Sequence, residues 1–155
     1  MERISYNELP EGLMQGMLQT QTYLNKSGLD HQLQTLIKFR VSQINSCAYC
    51  LDMHYKEGIH IGETPLRLIS LDAWRETPYY SEKEKAALAF AELLTHLPQE
   101  EASDSIHEDL NKHFSKQEIA ILTLAIAQIN SWNRITRSFG TTPGNYKVPQ
   151  KAMAS

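Results

Sequence analysis

Apolar residues recur at intervals of three and four along most of the chain, which is the spacing of one face of an α-helix. The first such run covers residues 11–27, and Gly28 fits the end of that helix. Asp30 is suited to cap a second helix, whose apolar pattern continues to Ile44. The pattern therefore predicts two consecutive amphipathic helices before the first break in the chain.

A third helix is predicted directly after that break. Asn45 and Ser46 interrupt the apolar pattern, and serine is a favourable N-cap residue. We expect Ser46 to cap a helix that runs from Cys47 to Glu57, with Gly58 at its end.

Two later helices begin with the same sequence signal. Ser81 precedes Glu84 by three residues, and Ser115 precedes Glu118 by the same interval, which is the capping-box pattern. The helix behind the second box, 117–139, is apolar on more than one face. Such a helix lies either at the centre of the fold or against another subunit, so we expect an oligomer formed through apolar helices.

No segment has the alternating pattern of a β-strand, so the predicted fold class is an all-α helical bundle. The chain has 155 residues, a length that suits one domain. We expect this domain to span residues 1–142. Residues 143–155 include two prolines and a glycine and are predicted to form a C-terminal tail.

Charge and composition exclude several functions. The net charge is −3 and no Lys/Arg cluster is present, so nucleic acid is not an expected partner. No apolar run reaches the roughly 20 residues that a membrane span needs. The N-terminal sequence lacks the pattern of a signal peptide, and we therefore expect a cytoplasmic protein without membrane association.

The candidate chemistry lies in the third predicted helix. The two cysteines, Cys47 and Cys50, are three residues apart, so a disulfide between them closes almost no loop and adds little stability. In a reducing compartment such a pair indicates metal binding or redox chemistry. The first turn of a helix favours a thiolate over a thiol, because the helix dipole and free amide groups stabilise negative charge. His54 follows Cys50 by four residues on the same helix face, where its imidazole can accept or return a proton.

The cysteine pair has three other interpretations: a zinc site, a haem attachment site and two inert cysteines. A structural zinc site needs four ligands, and the candidates beyond the cysteines and His54 are dispersed along the chain: His60, His107 and His113. No second Cys-x-x-Cys motif is present, so we expect no metal. Haem attachment requires histidine directly after the second cysteine, and that residue is Leu51. Two buried, inert cysteines remain an alternative.

The sequence VSQINSCAYCLDMH, residues 41–54, resembles the signature of the alkylhydroperoxidase D-like, or carboxymuconolactone decarboxylase, superfamily. Residues 71–76, 90–95 and 129–134 also resemble the small single-domain branch of that superfamily. The resemblance implies an all-α fold assembled as trimers or hexamers. It further implies a cofactor-free peroxidase that reduces small hydroperoxides and is restored by an external thiol or dithiol.

The resemblance also implies roles for the site residues. It assigns Cys50 as the thiol that attacks peroxide, Cys47 as the resolving thiol and His54 as part of a proton relay. The helix dipole, in contrast, acts most strongly on the earlier cysteine, Cys47.

The family relay usually includes a glutamate twelve residues before the first cysteine, and here that position is Thr35. A threonine cannot act as a carboxylate base near neutral pH. His31, Glu84 and Glu92 are candidates to replace the missing carboxylate. The same substitution motivates a second hypothesis, a non-catalytic redox sensor or binding protein. Lactone decarboxylation, suggested by the superfamily name, is a third hypothesis and does not call for a cysteine pair.

Overall fold

The fold is described by a computed structural model that covers residues 2–98 and 103–149, without the side chain of residue 103. Within these ranges the chain forms helices and no strand, which confirms the predicted all-α class. The α-helices are α1 (Gln15–Lys26), α2 (His31–Ile44), α3 (Ala48–His60), α4 (Pro65–Ile69), α5 (Glu82–His96), α6 (Ser103–His113) and α7 (Lys116–Phe139). Short 3-10 helices cover Tyr6–Glu8 and Ser70–Glu76.

Three of the predicted N-caps are formed, those at Asp30, Ser81 and Ser115. The Asp30 side chain accepts a hydrogen bond from the Leu33 amide at the start of α2. Ser81 and Ser115 each form a complete capping box with the glutamate three residues later. At the end of α7, Gly140 adopts a left-handed conformation with φ of 70°, which glycine accepts without steric cost.

Helix α2 lies at the centre of the bundle and packs against α3, α5 and α7. Its apolar side chains join two buried clusters. The larger cluster, between α2, α5, α6 and α7, includes Ile37, Val41, Ala87, Phe90, Leu110, Leu122 and Ile126. The smaller cluster, below α4 and the second 3-10 helix, includes Leu36, Phe39, Leu68, Leu71, Trp74 and Leu88. Because α2 contributes to both clusters, the position of its C-terminal end is well fixed.

Two predictions about α3 are wrong. Ser46 is not the N-cap; it adopts a left-handed φ of 51°, and Cys47 occupies the cap position in an extended conformation. Gly58 does not end the helix, which continues to His60. Gly58 is instead a point of close packing, because the Leu68 methyl groups of α4 lie where a side chain at position 58 would have to fit.

The helical pattern also gave inexact bounds elsewhere. Helix α1 begins at Gln15, not at residue 11, since residues 11–14 form a turn. Helix α6 was not predicted, because its sequence is mostly polar and has few apolar positions to mark a helical face.

Helix α7 contacts α1, α2, α3 and α5 and is therefore largely central. Its exposed positions carry both small side chains, among them Ala120, Ala127 and Ser131, and larger ones, among them Leu124, Arg134 and Arg137. The predicted oligomer stays a prediction, as does the domain boundary at residue 142.

The described part of the predicted tail, residues 143–149, packs on α3, and residues 150–155 lie outside the described residues. None of the described helices is both long enough and apolar enough to cross a membrane.

We predict that alanine substitutions at two helical glycines have different effects on the free energy of unfolding. A Cβ atom at Gly58 comes within 3.1 and 3.2 Å of the Leu68 methyl carbons, whereas no atom lies within 4 Å of a Cβ at Gly16. Overpacking costs about 1–3 kcal/mol, more than the gain of up to about 1 kcal/mol that alanine brings to a helix. Gly58→Ala should lower the free energy of unfolding in urea by about 1 kcal/mol, and Gly16→Ala should leave it unchanged or raise it. Equal stabilisation by both substitutions would contradict the packing described here.

Candidate redox site at the start of the third helix

Cys47 and Cys50 form a disulfide at the N-terminal end of α3. Cys47 is the N-cap residue and Cys50 lies in the first helical turn. Both residues are buried, each with 1% of its surface exposed. The sulfurs therefore occupy the positive end of the helix, as the sequence predicts, but away from solvent.

The turn that leads into α3 is held by a buried polar network. The Cys47 amide donates to the Ser42 carbonyl at 3.0 Å, which brings the chain directly back from the end of α2. The Asn45 side chain donates to the side-chain oxygens of Asn130 and Asn133 on α7, at 2.9 and 3.0 Å. Asn133, fully buried, donates in turn to the Ser42 hydroxyl. These bonds tie the cysteine turn to α7.

The Thr136 hydroxyl of α7 contacts both sulfurs. Its oxygen lies 3.1 Å from the Cys47 sulfur and 3.2 Å from the Cys50 sulfur. The same oxygen lies 2.9 Å from the Trp132 carbonyl, which also accepts a hydrogen bond from it. The Asn133 carbonyl is a further acceptor, at 3.3 Å. Disulfide sulfurs carry no hydrogen, so in this state the hydroxyl is the donor, and its single hydrogen can be directed to one of the two carbonyls or to the sulfurs. In the reduced protein it can donate to a thiolate.

His54 lies on the same side of α3 and is buried, with 4% of its surface exposed. Its Nδ1 atom is 2.7 Å from a carboxylate oxygen of Glu57. Because an ionised carboxylate only accepts hydrogen bonds, Nδ1 carries the hydrogen and Nε2 presents its lone pair. Nε2 is buried and has no hydrogen-bond partner among the described residues. This nitrogen is thus free to accept a proton.

Burial lowers the pKa of the His54 imidazole; the Glu57 carboxylate opposes this shift, and the charge of Lys38 reinforces it. The net pKa lies below the ordinary value for histidine, so the ring is neutral at neutral pH. For Glu57, burial raises the pKa of the carboxyl, but hydrogen bonds from His54 and Tyr146 outweigh burial and lower it overall. The pair therefore consists of a neutral base and an ionised carboxylate.

The proposed replacements for the relay glutamate lie elsewhere. Glu92 binds the side chains of Arg40, Trp74 and Arg75. Glu84 caps α5 and pairs with Arg67. His31 is exposed at the start of α2. No described hydrogen bond or ion pair links these three side chains to His54 or to the sulfurs.

Three residues that contact the sulfurs, His54 or each other were not predicted as site residues from the sequence. They are Glu57, Thr136 and Tyr146. Glu57 had a signal, since it follows His54 by three residues and continues the helix face of the cysteines. No sequence signal pointed to Thr136 or Tyr146, because they are more than 80 residues away in the chain from the α3 residues that they contact. In the described ranges, no group of three or more histidine, cysteine, aspartate or glutamate side chains is arranged to hold a metal ion.

Residues 11–93, which include both cysteines and His54, match the model of the carboxymuconolactone decarboxylase family. The chain belongs to this family. The resemblance noted in the sequence is thereby confirmed, and Thr136 and Tyr146 lie outside the matched region.

Relatives of this family member support the same assignment. YdfG of Bacillus subtilis (strain 168), an uncharacterized protein, is 41% identical over 140 residues, which are 90% of this chain and 95% of YdfG. The structure of ATU0492 from Agrobacterium tumefaciens, a protein of unknown function and a candidate antioxidant defence protein AhpD, is 37% identical with a TM-score of 0.89. That match covers 94% of this chain and all of ATU0492.

A more distant structure shares the fold of this family member. It is an uncharacterized peroxidase-related protein from Ralstonia eutropha JMP134 with an alkylhydroperoxidase AhpD core. The identity is 19% and the TM-score is 0.73, over 84% of this chain and 70% of that protein. The helical bundle described above is therefore the alkylhydroperoxidase D-like fold.

We predict that Thr136 sets the acidity of the dithiol. A hydrogen bond to a charged group contributes about 1.5–3 kcal/mol, which corresponds to roughly one to two pKa units. Thr136→Val should raise the pKa of the more acidic thiol by about one unit, measured from the pH dependence of iodoacetamide alkylation. Thr136→Ser keeps the hydroxyl and is the matched control. An unchanged alkylation profile in the valine variant would show that the hydroxyl does not stabilise a thiolate.

Proposed function

We propose that the protein is a thiol-dependent peroxidase that reduces small hydroperoxides through the Cys47–Cys50 pair. The observation that carries the proposal is the bonded pair of sulfurs at the positive end of α3, followed on the same helix by a buried, neutral imidazole. Membership of the family and the AhpD-type names of structural relatives add support.

In the proposed reaction, Cys50 is the attacking thiol. His54 takes the proton of the Cys50 thiol at Nε2, and the thiolate attacks a peroxide oxygen. The O–O bond breaks, a sulfenic acid forms on Cys50, and the departing alkoxide receives the proton from His54 and leaves as an alcohol. The peroxide is reduced and the sulfur is oxidised.

Cys47 then resolves the intermediate. Its thiolate attacks the sulfenic sulfur, the S–O bond breaks, and the departing hydroxide leaves as water with the proton of the Cys47 thiol. The product is the disulfide present in the structure. An external thiol or dithiol reduces this disulfide by thiol–disulfide exchange and completes the cycle.

The choice of Cys50 over Cys47 follows the family resemblance and the spacing along the helix. Thr136 contacts both sulfurs and does not distinguish them. Cys50 is one turn from His54, whereas Cys47 is two turns away. Since both sulfurs are buried, the substrate is a small molecule, or the first turn of α3 opens to admit it.

We further propose that the protein acts in a reducing compartment such as the cytoplasm, where a thiol donor is available. A homo-oligomer, trimer or hexamer, formed through the exposed face of α7 is part of the same proposal. Light scattering at micromolar concentration tests the assembly, and a monomer mass would exclude it.

A second candidate function is redox sensing by the same dithiol. Thr35 stands where relay carboxylates of the family are expected, and the sulfurs are little exposed. Reversible disulfide formation with negligible turnover would favour the sensor over the peroxidase.

We predict distinct phenotypes for the two serine variants. Cys50→Ser should abolish hydroperoxide consumption coupled to a thiol reductant. Cys47→Ser should form a sulfenic acid on Cys50 after one equivalent of hydroperoxide, detected by mass spectrometry after dimedone trapping. Circular dichroism melts control for folding. Unchanged turnover in Cys50→Ser would reject the peroxidase, and absence of the adduct in Cys47→Ser would overturn the assignment of Cys50 as the attacking thiol.

A further inference from the structure

We infer that Glu57 and Tyr146 are positioning residues for His54, and that the segment after α7 is part of the site. This inference rests on the proposed function in that His54 carries protons for the dithiol. The carboxylate partner of His54 is then a residue of α3 itself, and the residue that orients this carboxylate belongs to the C-terminal segment.

The first step concerns the hydrogen on the imidazole. The Glu57 carboxylate accepts a hydrogen bond from Nδ1 of His54 at 2.7 Å. This bond selects the tautomer with its hydrogen on Nδ1 and leaves Nε2 as the basic nitrogen. Without the carboxylate, the buried ring has no described partner that selects this tautomer.

The second step concerns the orientation of the carboxylate. The Tyr146 hydroxyl donates to the other oxygen of Glu57 at 2.8 Å. With one oxygen bound to His54 and the other to Tyr146, the carboxylate cannot rotate without losing a bond. Tyr146 therefore acts on His54 through Glu57.

The third step concerns the segment that carries Tyr146. The Lys56 ammonium donates to the carbonyls of Gly144 and Tyr146, at 3.0 and 3.1 Å. Asp52 accepts from the Gly144 amide at 3.0 Å and pairs with Lys56 at 2.8 Å. Two charged side chains of α3 thus hold this segment across the helix and fix the place of the tyrosine.

The surrounding charges are compatible with an ionised Glu57. The charge of Lys38, a half-buried residue of α2, and the hydrogen bonds from His54 and Tyr146 favour the ionised form of this carboxylate. Tyr49 of α3 interacts electrostatically with Glu57 and Tyr146 and stays neutral, because burial raises its pKa. When His54 takes a proton from a thiol, the Glu57 carboxylate stabilises the imidazolium, whereas Lys38 opposes it.

Thr35 does not fill this role. Its hydroxyl donates to the His31 carbonyl of its own helix at 2.9 Å, and its methyl group packs close to Gly58. The family resemblance places a carboxylate at this position of α2. In this chain the carboxylate bound to His54 is instead three residues further along α3.

The tautomer of His54 is the most specific test. Long-range ¹H–¹⁵N NMR of the imidazole distinguishes Nδ1–H from Nε2–H. We expect Nδ1–H in the wild-type protein and loss of this preference in Glu57→Ala. Glu82→Ala, which removes an exposed glutamate whose described ion pair is with Lys85, is the matched control.

Kinetics test the same inference independently. General acid–base catalysis contributes about 10²–10⁴-fold, so Glu57→Ala should lower kcat by about tenfold to hundredfold with little change in KM. Glu57→Gln keeps an acceptor but not the charge; it should partly restore kcat and shift the acid limb of the pH–rate profile to lower pH. The sign follows because a neutral amide no longer stabilises the imidazolium, so the pKa of His54 falls.

Tyr146→Phe should lower kcat by about threefold in the wild-type background and have no further effect in Glu57→Ala, because Tyr146 acts through Glu57. Tyr79→Phe is the control, since that side chain is partly exposed and its hydroxyl makes no described hydrogen bond to Glu57 or to any other residue of α3. Additive effects of Tyr146→Phe and Glu57→Ala would overturn the role of Tyr146.

The inference and the proposed function fail in different ways. A Glu57→Ala protein that keeps the Nδ1–H tautomer and wild-type turnover overturns the inference, even if Cys50→Ser is inactive. A wild-type protein that has the expected tautomer but does not consume hydroperoxide overturns the peroxidase and leaves the positioning of His54 in place.

Discussion

The buried pair of His54 and Glu57 is the interaction on which this account depends. An imidazole removed from water costs free energy unless its polar atoms find partners. Glu57 supplies one partner, on Nδ1, and the opposite nitrogen is buried without a hydrogen-bond partner in the part of the chain that the structure describes. Such an unpaired buried nitrogen is costly for a purely structural histidine, and it is what a proton acceptor requires.

The site is built largely from one face of one helix. Cys47, Cys50, His54 and Glu57 follow each other at intervals of three, four and three residues, so their side chains share a single stripe of α3. Helix α7 covers the cysteine end of this stripe through Thr136, and the C-terminal segment covers the glutamate end through Tyr146. A rigid helix thus sets the order of the groups, and distant segments control their environment.

The division between groups on α3 and groups on distant segments explains which features could be predicted from the sequence. The helical class, the capping boxes and the candidate site on α3 follow from local spacing, and local spacing is readable in a single sequence. Ser46 was misassigned because its favourable capping chemistry is overridden by the short connection between α2 and α3, which forces a left-handed turn. Thr136 and Tyr146 were not predictable, since nothing in their own neighbourhoods indicates which helix they meet. With threonine at position 35, the sequence offers His31 of the same helix and Glu84 and Glu92 of α5 as replacements, whereas the carboxylate that meets His54 lies one turn further along α3.

The most direct test of the account is the pKa of His54 in the two redox states, followed by NMR titration of its ring proton. If the imidazole exchanges protons with the dithiol, a thiolate in the reduced protein stabilises the imidazolium, and the pKa should be higher by about one unit than in the disulfide form. Replacement of Cys50 by serine should remove most of that difference. The same His54 pKa in oxidised and reduced protein would show that the ring and the sulfurs are not coupled, and would contradict the account.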